Sequence, residues 1–533
     1  MTQPDPKQPP AAATSPWSPL RIRVYRNIWI ASVVSNMGTW MHDMGAGWLM
    51  AILSASPVMV ALVQTATTLP VFILAIPAGA LADIFDRRVY LITTIMWMMG
   101  IALVLGILTV AGITNEWILI IFTFALGIGT AMMLPALAAV TPELVPRQEL
   151  HKAIALNAIG MNVSRAIGPA LAGLIIAAAG TGAVFLINAV SFSLVILVLW
   201  YWKREVVKSS LPAERFITAI RTGVRFALHA PALHATLFRS FGFFIFASAL
   251  WALLPLVAKD LLGGGPQTYG ILLASIGVGA VAGALLLPGI RIRYSIDQLA
   301  VRATIVYAVA MFITGFIHHL AASIICMAVC GATWITMVSI ISTAAQLSLP
   351  NWVRSRGLSV SMATLMGSLA FGSIIWGNVA EHFSIPVALT SAAAGVILAA
   401  YLTRNRHLSG IENIDLTPSM HWDMPVTRNP ITHSRGPVMV MVHYYVNHAQ
   451  KTDFLSLVHL LGRARKRDGA YAWDVMEDVR DPDHYIEYYM VESWLEHLRQ
   501  HERVTNEEKY LQEKISALLV AGKIPEVTHF IGT

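Results

Sequence analysis

The stretch "GALADIFDRR", residues 79–88, sets two aspartates and two arginines between apolar segments. One segment runs into it from Val58 and another leaves it at Val89. Working outward, about twelve apolar runs of roughly 18–25 residues fill the chain from Asn27 to Leu402. A helix rising 1.5 Å per residue needs about 20 such residues to cross ~30 Å of hydrocarbon. The 533 residues are 56% hydrophobic and only 13% charged, with mean hydropathy +0.62. Soluble domains carry about 25% charge, so buried core helices do not account for these runs. The expected fold is an all-α membrane protein of twelve transmembrane helices in two six-helix repeats.

The net charge of +7 is a topology signal. Arginines and lysines fall in alternate loops: Arg21, Arg23 and Arg26, then Arg87 and Arg88, then Arg147 and Lys152. The alternation continues through Lys203–Arg225, Arg291 and Arg293, Arg354 and Arg356, and Arg404 and Arg406, with Lys259 the main exception. By the positive-inside rule both termini are cytoplasmic in a multi-pass protein of the inner membrane. Nucleic acid is not an expected partner; the lipid bilayer is. Residues 1–20 read as a disordered cytoplasmic tail without the apolar core of a signal peptide. Cys326 and Cys330 share one span and make no disulfide framework.

The two halves align without a gap at an offset of 204. Gly38 pairs with Gly242, Gly79 with Gly283, Gly127 with Gly331, Gly168 with Gly372 and Gly173 with Gly377. The domains are therefore a six-helix bundle at 21–202, a cytoplasmic linker at 203–235, a second bundle at 236–405, a linker at 406–436 and a soluble domain at 437–533. Parallel repeats with a site between them suit a transporter that rocks one half on the other.

Residues 79–88 resemble the loop between helices 2 and 3 of the major facilitator superfamily (MFS). Gly79, Asp83, Arg87 and Arg88 match its pattern, while Asp86 stands where many members have Gly. "GPALAG", with Gly168, Pro169 and Gly173, looks like the helix-5 pattern of antiporter members. "GTWMHDMGAGWLM", "LVPRQELHKAIALN" and "SRAIGPALAG" are similar to the branch of transmembrane secretion effectors that contains the enterobactin exporter and macrolide efflux pumps. The resemblance implies alternating access, a charged gating loop that latches the cytoplasmic side, and close backbone approach at Gly79. Many proton-driven members carry an arginine in helix 4, whereas no charged residue lies here between Ile118 and Thr141.

Ionisable residues inside spans are expensive and default to function. His42 and Asp43 in helix 1 and Arg165 in helix 5 are the candidates for coupling and for the cavity. Rise arithmetic sets Asp43 and Arg165 within about a turn in depth, so they are expected to pair or share a cavity. Asn36, Gln64, Asn162 and Gln346 join them as polar groups at span centres, serving as interhelical glue or as substrate contacts.

The last hundred residues read β-α-β-β-α-β, an α+β ferredoxin-like domain, and resemble the antibiotic-biosynthesis-monooxygenase (ABM) type. A dimerising tail of this kind would make the protein a homodimer. His497 and His501 are spaced i,i+4, but no third ligand stands at a telling spacing, so no metal, cofactor or catalytic residue is expected. No "GxxxxGK[ST]" motif for ATP occurs. The expected function is proton-driven export of a small amphiphilic molecule, namely a drug, siderophore or secondary metabolite. The alternatives are a membrane-anchored enzyme acting through the tail, or an importer of the same fold.

Overall fold

The computed structural model describes residues 15–202, 225–350, 352–408, 415–422, 425, 427 and 430–532. Most of the linker expected at 203–235, and the first fourteen residues of the expected tail, lie outside them.

The first half consists of α1 (Arg23–Leu53), α2 (Pro57–Ile84), α3 (Arg87–Val110), α4 (Glu116–Leu144), α5 (Leu150–Ala179) and α6 (Thr181–Tyr201). The second consists of α7 (Pro231–Leu256), α8 (Pro266–Arg291), α9 (Ile296–Thr314), α10 (Leu320–Leu347), α11 (Arg354–His382) and α12 (Ile385–Leu402). Among the described residues, eleven helices are long and apolar enough to cross a membrane. The remaining long helix, α1, has 31 residues but is less apolar, because it carries Asn36, His42 and Asp43.

The offset of 204 maps α4 onto α10, α5 onto α11 and α6 onto α12 with matching first residues. The repeat also governs packing. A Cβ on Gly173 of α5 would lie 2.9 Å from the Pro266 carbonyl at the start of α8. A Cβ on its counterpart Gly377 of α11 would lie 2.6 Å from Ala61 near the start of α2. Small residues thus let α5 meet α8 and α11 meet α2, and these two seams join the halves.

The termini of the helical region, Arg23 and Leu402, share what is here called the tail end of the bundle; the opposite end is the distal end. Distally the halves are tied together. Lys259, in a π-helical turn after α7, donates to the Ala51 carbonyl of α1. Glu381 of α11 accepts from Ser56 and from the Val58 backbone N–H at 3.2 Å. At mid-depth the Thr65 hydroxyl donates to the Ala370 carbonyl, and Phe72 meets Phe371 edge-on.

The C-terminal domain has β1 (Val438–Tyr445), α13 (Lys451–Arg467), β2 (Ala472–Glu477), β3 (His484–Val491), α14 (Trp494–Arg503), α15 (Asn506–Ser516) and β4 (Glu526–Ile531). The antiparallel sheet runs β2-β3-β1-β4. Alternate β1 residues, among them Val442 and Tyr444, pack against Phe454, Val458 and Leu461 of α13. The domain rests on the tail end of the second half. Arg225 donates to the Gly469 carbonyl at 2.6 Å and reaches Glu492 at 3.3 Å. Arg503 lies 4.3 Å over the ring of Trp352, in the α10–α11 turn.

Candidate functional site

Asn36, Trp40, Asp43 and Gly47 recur at helical spacing and share one face of α1. A Cβ on Gly47 would lie 2.9 Å from the Tyr269 hydroxyl of α8, and Trp48 stacks on Tyr269 at 6.3 Å. That face of α1 therefore meets the other half. Asp43 is half-buried on it. Among the described residues its carboxylate forms no hydrogen bond or ion pair.

His42 is on a different face. It is buried, both ring nitrogens lack hydrogen-bond partners among the described residues, and the ring packs 4.4 Å from Phe185 of α6. A step of 100° per residue turns it from the seam into its own half.

The expected pairing of Asp43 with Arg165 does not form. Ser164 donates to the Val33 carbonyl at 2.9 Å, and Gly168 packs against Met37 and Trp40. Arg165 therefore sits level with residues 34–36 of α1, about two turns from Asp43. Its guanidinium lies 5.1 Å over the Trp40 ring instead. Rise per residue fixes depth only relative to the span ends, whereas side-chain interlocking sets the register of the two helices.

Gln64 is half-buried on α2 and Asn36 on α1. Asn162 donates to the Ala158 carbonyl at 2.9 Å, within its own helix. Gln346 is exposed one residue before the end of α10, so it is not at a span centre.

In the charged loop Asp86 caps α3, accepting from the N–H groups of Arg88 and Val89 at 3.0 Å. Arg87 pairs with Glu143 of α4 at 2.8 Å, and Arg88 donates to the Leu199 and Trp200 carbonyls ending α6. These contacts brace the first half internally. The Asp83 side chain lies outside the described residues. Among the described residues, a Cβ on Gly79 would meet only the Ser359 hydroxyl of α11, at 3.9 Å, and no close backbone approach is seen there. It occurs at the helix-5 motif and its partners: a Cβ on Gly270 would lie 2.5 Å from the Pro169 carbonyl, and one on Gly277 2.6 Å from the Ala166 Cα.

The C-terminal domain holds a second site, which sequence spacing did not reveal. A cavity of about 390 Å³ is lined by Trp422, Tyr444, Arg465, Tyr489, His497, His501 and His529, among others. Glu487, wholly buried, accepts from Arg465, from Trp473 at 2.9 Å and from the Tyr444 hydroxyl at 2.9 Å. Despite its burial, these neighbours hold the Arg465 guanidinium above its ordinary pKa. His497 is fully buried; burial first, then nearby His529 and His501, pull it down to about 3. His501 is buried as well, because α14 turns both rings against the sheet.

The family model described as "Transmembrane secretion effector" matches residues 14–533, the C-terminal domain included. The chain belongs to that family. Relatives that resemble it include the staphyloferrin A transporter of Staphylococcus aureus, 24% identical over 66% of this chain and 87% of the relative. The enterobactin exporter EntS of Escherichia coli is 24% identical over 72% and 92%. The uncharacterized MFS-type transporter YfiS of Bacillus subtilis is 31% identical over 38% of this chain and 49% of its own length. Among solved structures, the nucleoside transporter NupG superposes with a TM-score of 0.57 at 13% identity, covering 72% of this chain and all of that one. That likeness shows the fold. The chain is an MFS-type, multi-pass membrane transporter.

Proposed function

We propose that this transporter is a proton-driven exporter of a small amphiphilic molecule, working by alternating access between its two halves. In this reading all twelve long helices span the cytoplasmic membrane, and the tail end faces the cytoplasm. The observation that carries it is Asp43, a carboxylate without a described partner on the face of α1 that meets the other half. An acid at such depth is costly to keep charged. It suits a site that takes a proton when the seam opens to one side and yields it to the other. Arg165 over Trp40, with Asn36 on the same face of α1, supplies a cation–aromatic and amide surface for an amphiphile with an anionic or polar end. The distal ties through Lys259, Glu381 and Gly173 support a state closed distally, with cargo entering from the tail end. Siderophore and macrolide export by relatives agrees with the proposed direction and cargo class.

The strand order β2-β3-β1-β4 supports a ferredoxin-like, ABM-like reading of the tail, and its edge strands β2 and β4 offer a route to a homodimer. The cavity in the tail favours a second reading, in which the domain acts on the cargo or a related metabolite.

The test is export from cells stripped of their own pumps, using macrolides, dyes and catecholate siderophores, with and without a protonophore. Wild-type export that collapses with protonophore and is lost in Asp43→Asn is expected. Undiminished export by Asp43→Asn would remove the proton site from α1. Accumulation in place of export would make the protein an importer.

A further inference from the structure

We propose that the C-terminal domain binds a divalent first-row transition-metal ion through His497, His501 and His529, with an open coordination position facing the cavity. The three imidazoles come from α14 and β4, and their candidate ligand atoms lie within 4.8 Å of one another. The His497 and His501 Nε2 atoms are 3.3 Å apart. Two nitrogens each about 2.0–2.1 Å from a tetrahedral ion stand about 3.4 Å apart, so this pair already has ligand spacing. His529 is the exposed member of the three, free to swing the remaining distance.

The surroundings supply what a metal site needs beyond ligands. A histidine that ligates through Nε2 carries its proton on Nδ1 and requires an acceptor there. The buried His497 Nδ1 has no partner among the described residues, and neither has the Oε1 of Gln500, whose side chain adjoins it. A small rotation joins this donor to this acceptor. All three histidines open onto the same cavity of about 390 Å³, walled by Trp422 and Tyr489. Buried Arg465 also lines the cavity, and its Nη1 lacks a described partner. Three histidines plus a vacant position is the pattern of a site that keeps one coordination place for water or substrate. Here Arg465 favours an anionic oxygen ligand at that place.

The proposal does not depend on the direction of transport. It is tested on the full-length protein in detergent, without a histidine tag and stripped with chelator, by titrating with Co²⁺ and competing with Zn²⁺. One equivalent per chain, with visible d–d bands of low-coordinate cobalt lost on adding zinc, is expected. His529→Ala, at the exposed position, should keep the wild-type melting curve and weaken binding by on the order of 100-fold. His421→Ala, which alters the cavity wall but no ligand, should bind as the wild type does. His497→Gln serves as a second ligand variant. Absence of a saturable site in the wild type overturns the proposal, as does wild-type affinity in both folded ligand variants.

Discussion

Replacing Gly270 and Gly277 together by alanine should open the distal seal. A Cβ at Gly277 would stand 2.6 Å from Ala166 Cα and 2.8 Å from Ala166 N; one at Gly270 would stand 2.5 Å from the Pro169 carbonyl. Ordinary carbon contacts are about 3.5–4.0 Å, so α5 and α8 must part by roughly 1 Å at two levels. The obstructing atoms are backbone and cannot rotate away. Overpacking of this kind costs about 1–3 kcal/mol. If the seam is one side of a two-state equilibrium, that cost falls on the sealed state and lowers its population ratio about 5- to 150-fold. The assay is a pair of spin labels at Ala178→Cys and Asp260→Cys, exposed positions near the distal ends of α5 and α7. Native Cys326 and Cys330 are buried and give little background. The wild type should show one short distance population, and the double variant a longer one. A folded double variant with an unchanged distance distribution would refute the reasoning, because the close approach would then have no part in sealing.

Gly79→Ala should leave the melting temperature unchanged, whereas its repeat partner Gly283→Ala, whose Cβ would sit 2.8 Å from Ala332 Cα, should lose about 1–3 kcal/mol; equal effects would deny the asymmetry. His42→Phe should keep transport, since neither ring nitrogen is bonded and the site is aromatic and apolar; loss of export in a folded variant would return His42 to the mechanism. Glu487→Gln removes the acid partner of buried Arg465 and should destabilise the C-terminal domain by about 3–5 kcal/mol, read by thermal melting with near-ultraviolet dichroism. Arg225→Ala with Trp352→Ala should free the domain from the bundle and speed proteolytic separation of the two, without changing the fold of either.

Much of this architecture is decided by local chemistry and is therefore legible in the chain. Apolar runs of membrane-crossing length, the alternation of arginine-bearing loops and the offset of 204 each depend only on residue type and spacing. So do the strands and helices of the tail: β1 alternates buried and half-buried residues, as period-2 patterning requires. Asp43 and Asp86 stand out by residue type alone, as acids within or between apolar segments.

Relations between elements belong to the tertiary structure. The sliding register of α1 against α5 separated Arg165 from Asp43 and set it over Trp40. The azimuth of α1 sent His42 to Phe185 of α6 and put its neighbour Asp43 on the face that meets α8 through Gly47. His529 joined His497 and His501 only because β4 lies beside α14, a pairing 28 residues away that no spacing rule encodes. Hydrophobic pattern specifies which face of a helix is buried. Depth, rotation and partner are chosen by the interlocking of small residues such as Gly168 and Gly277, whose contacts lie on other helices.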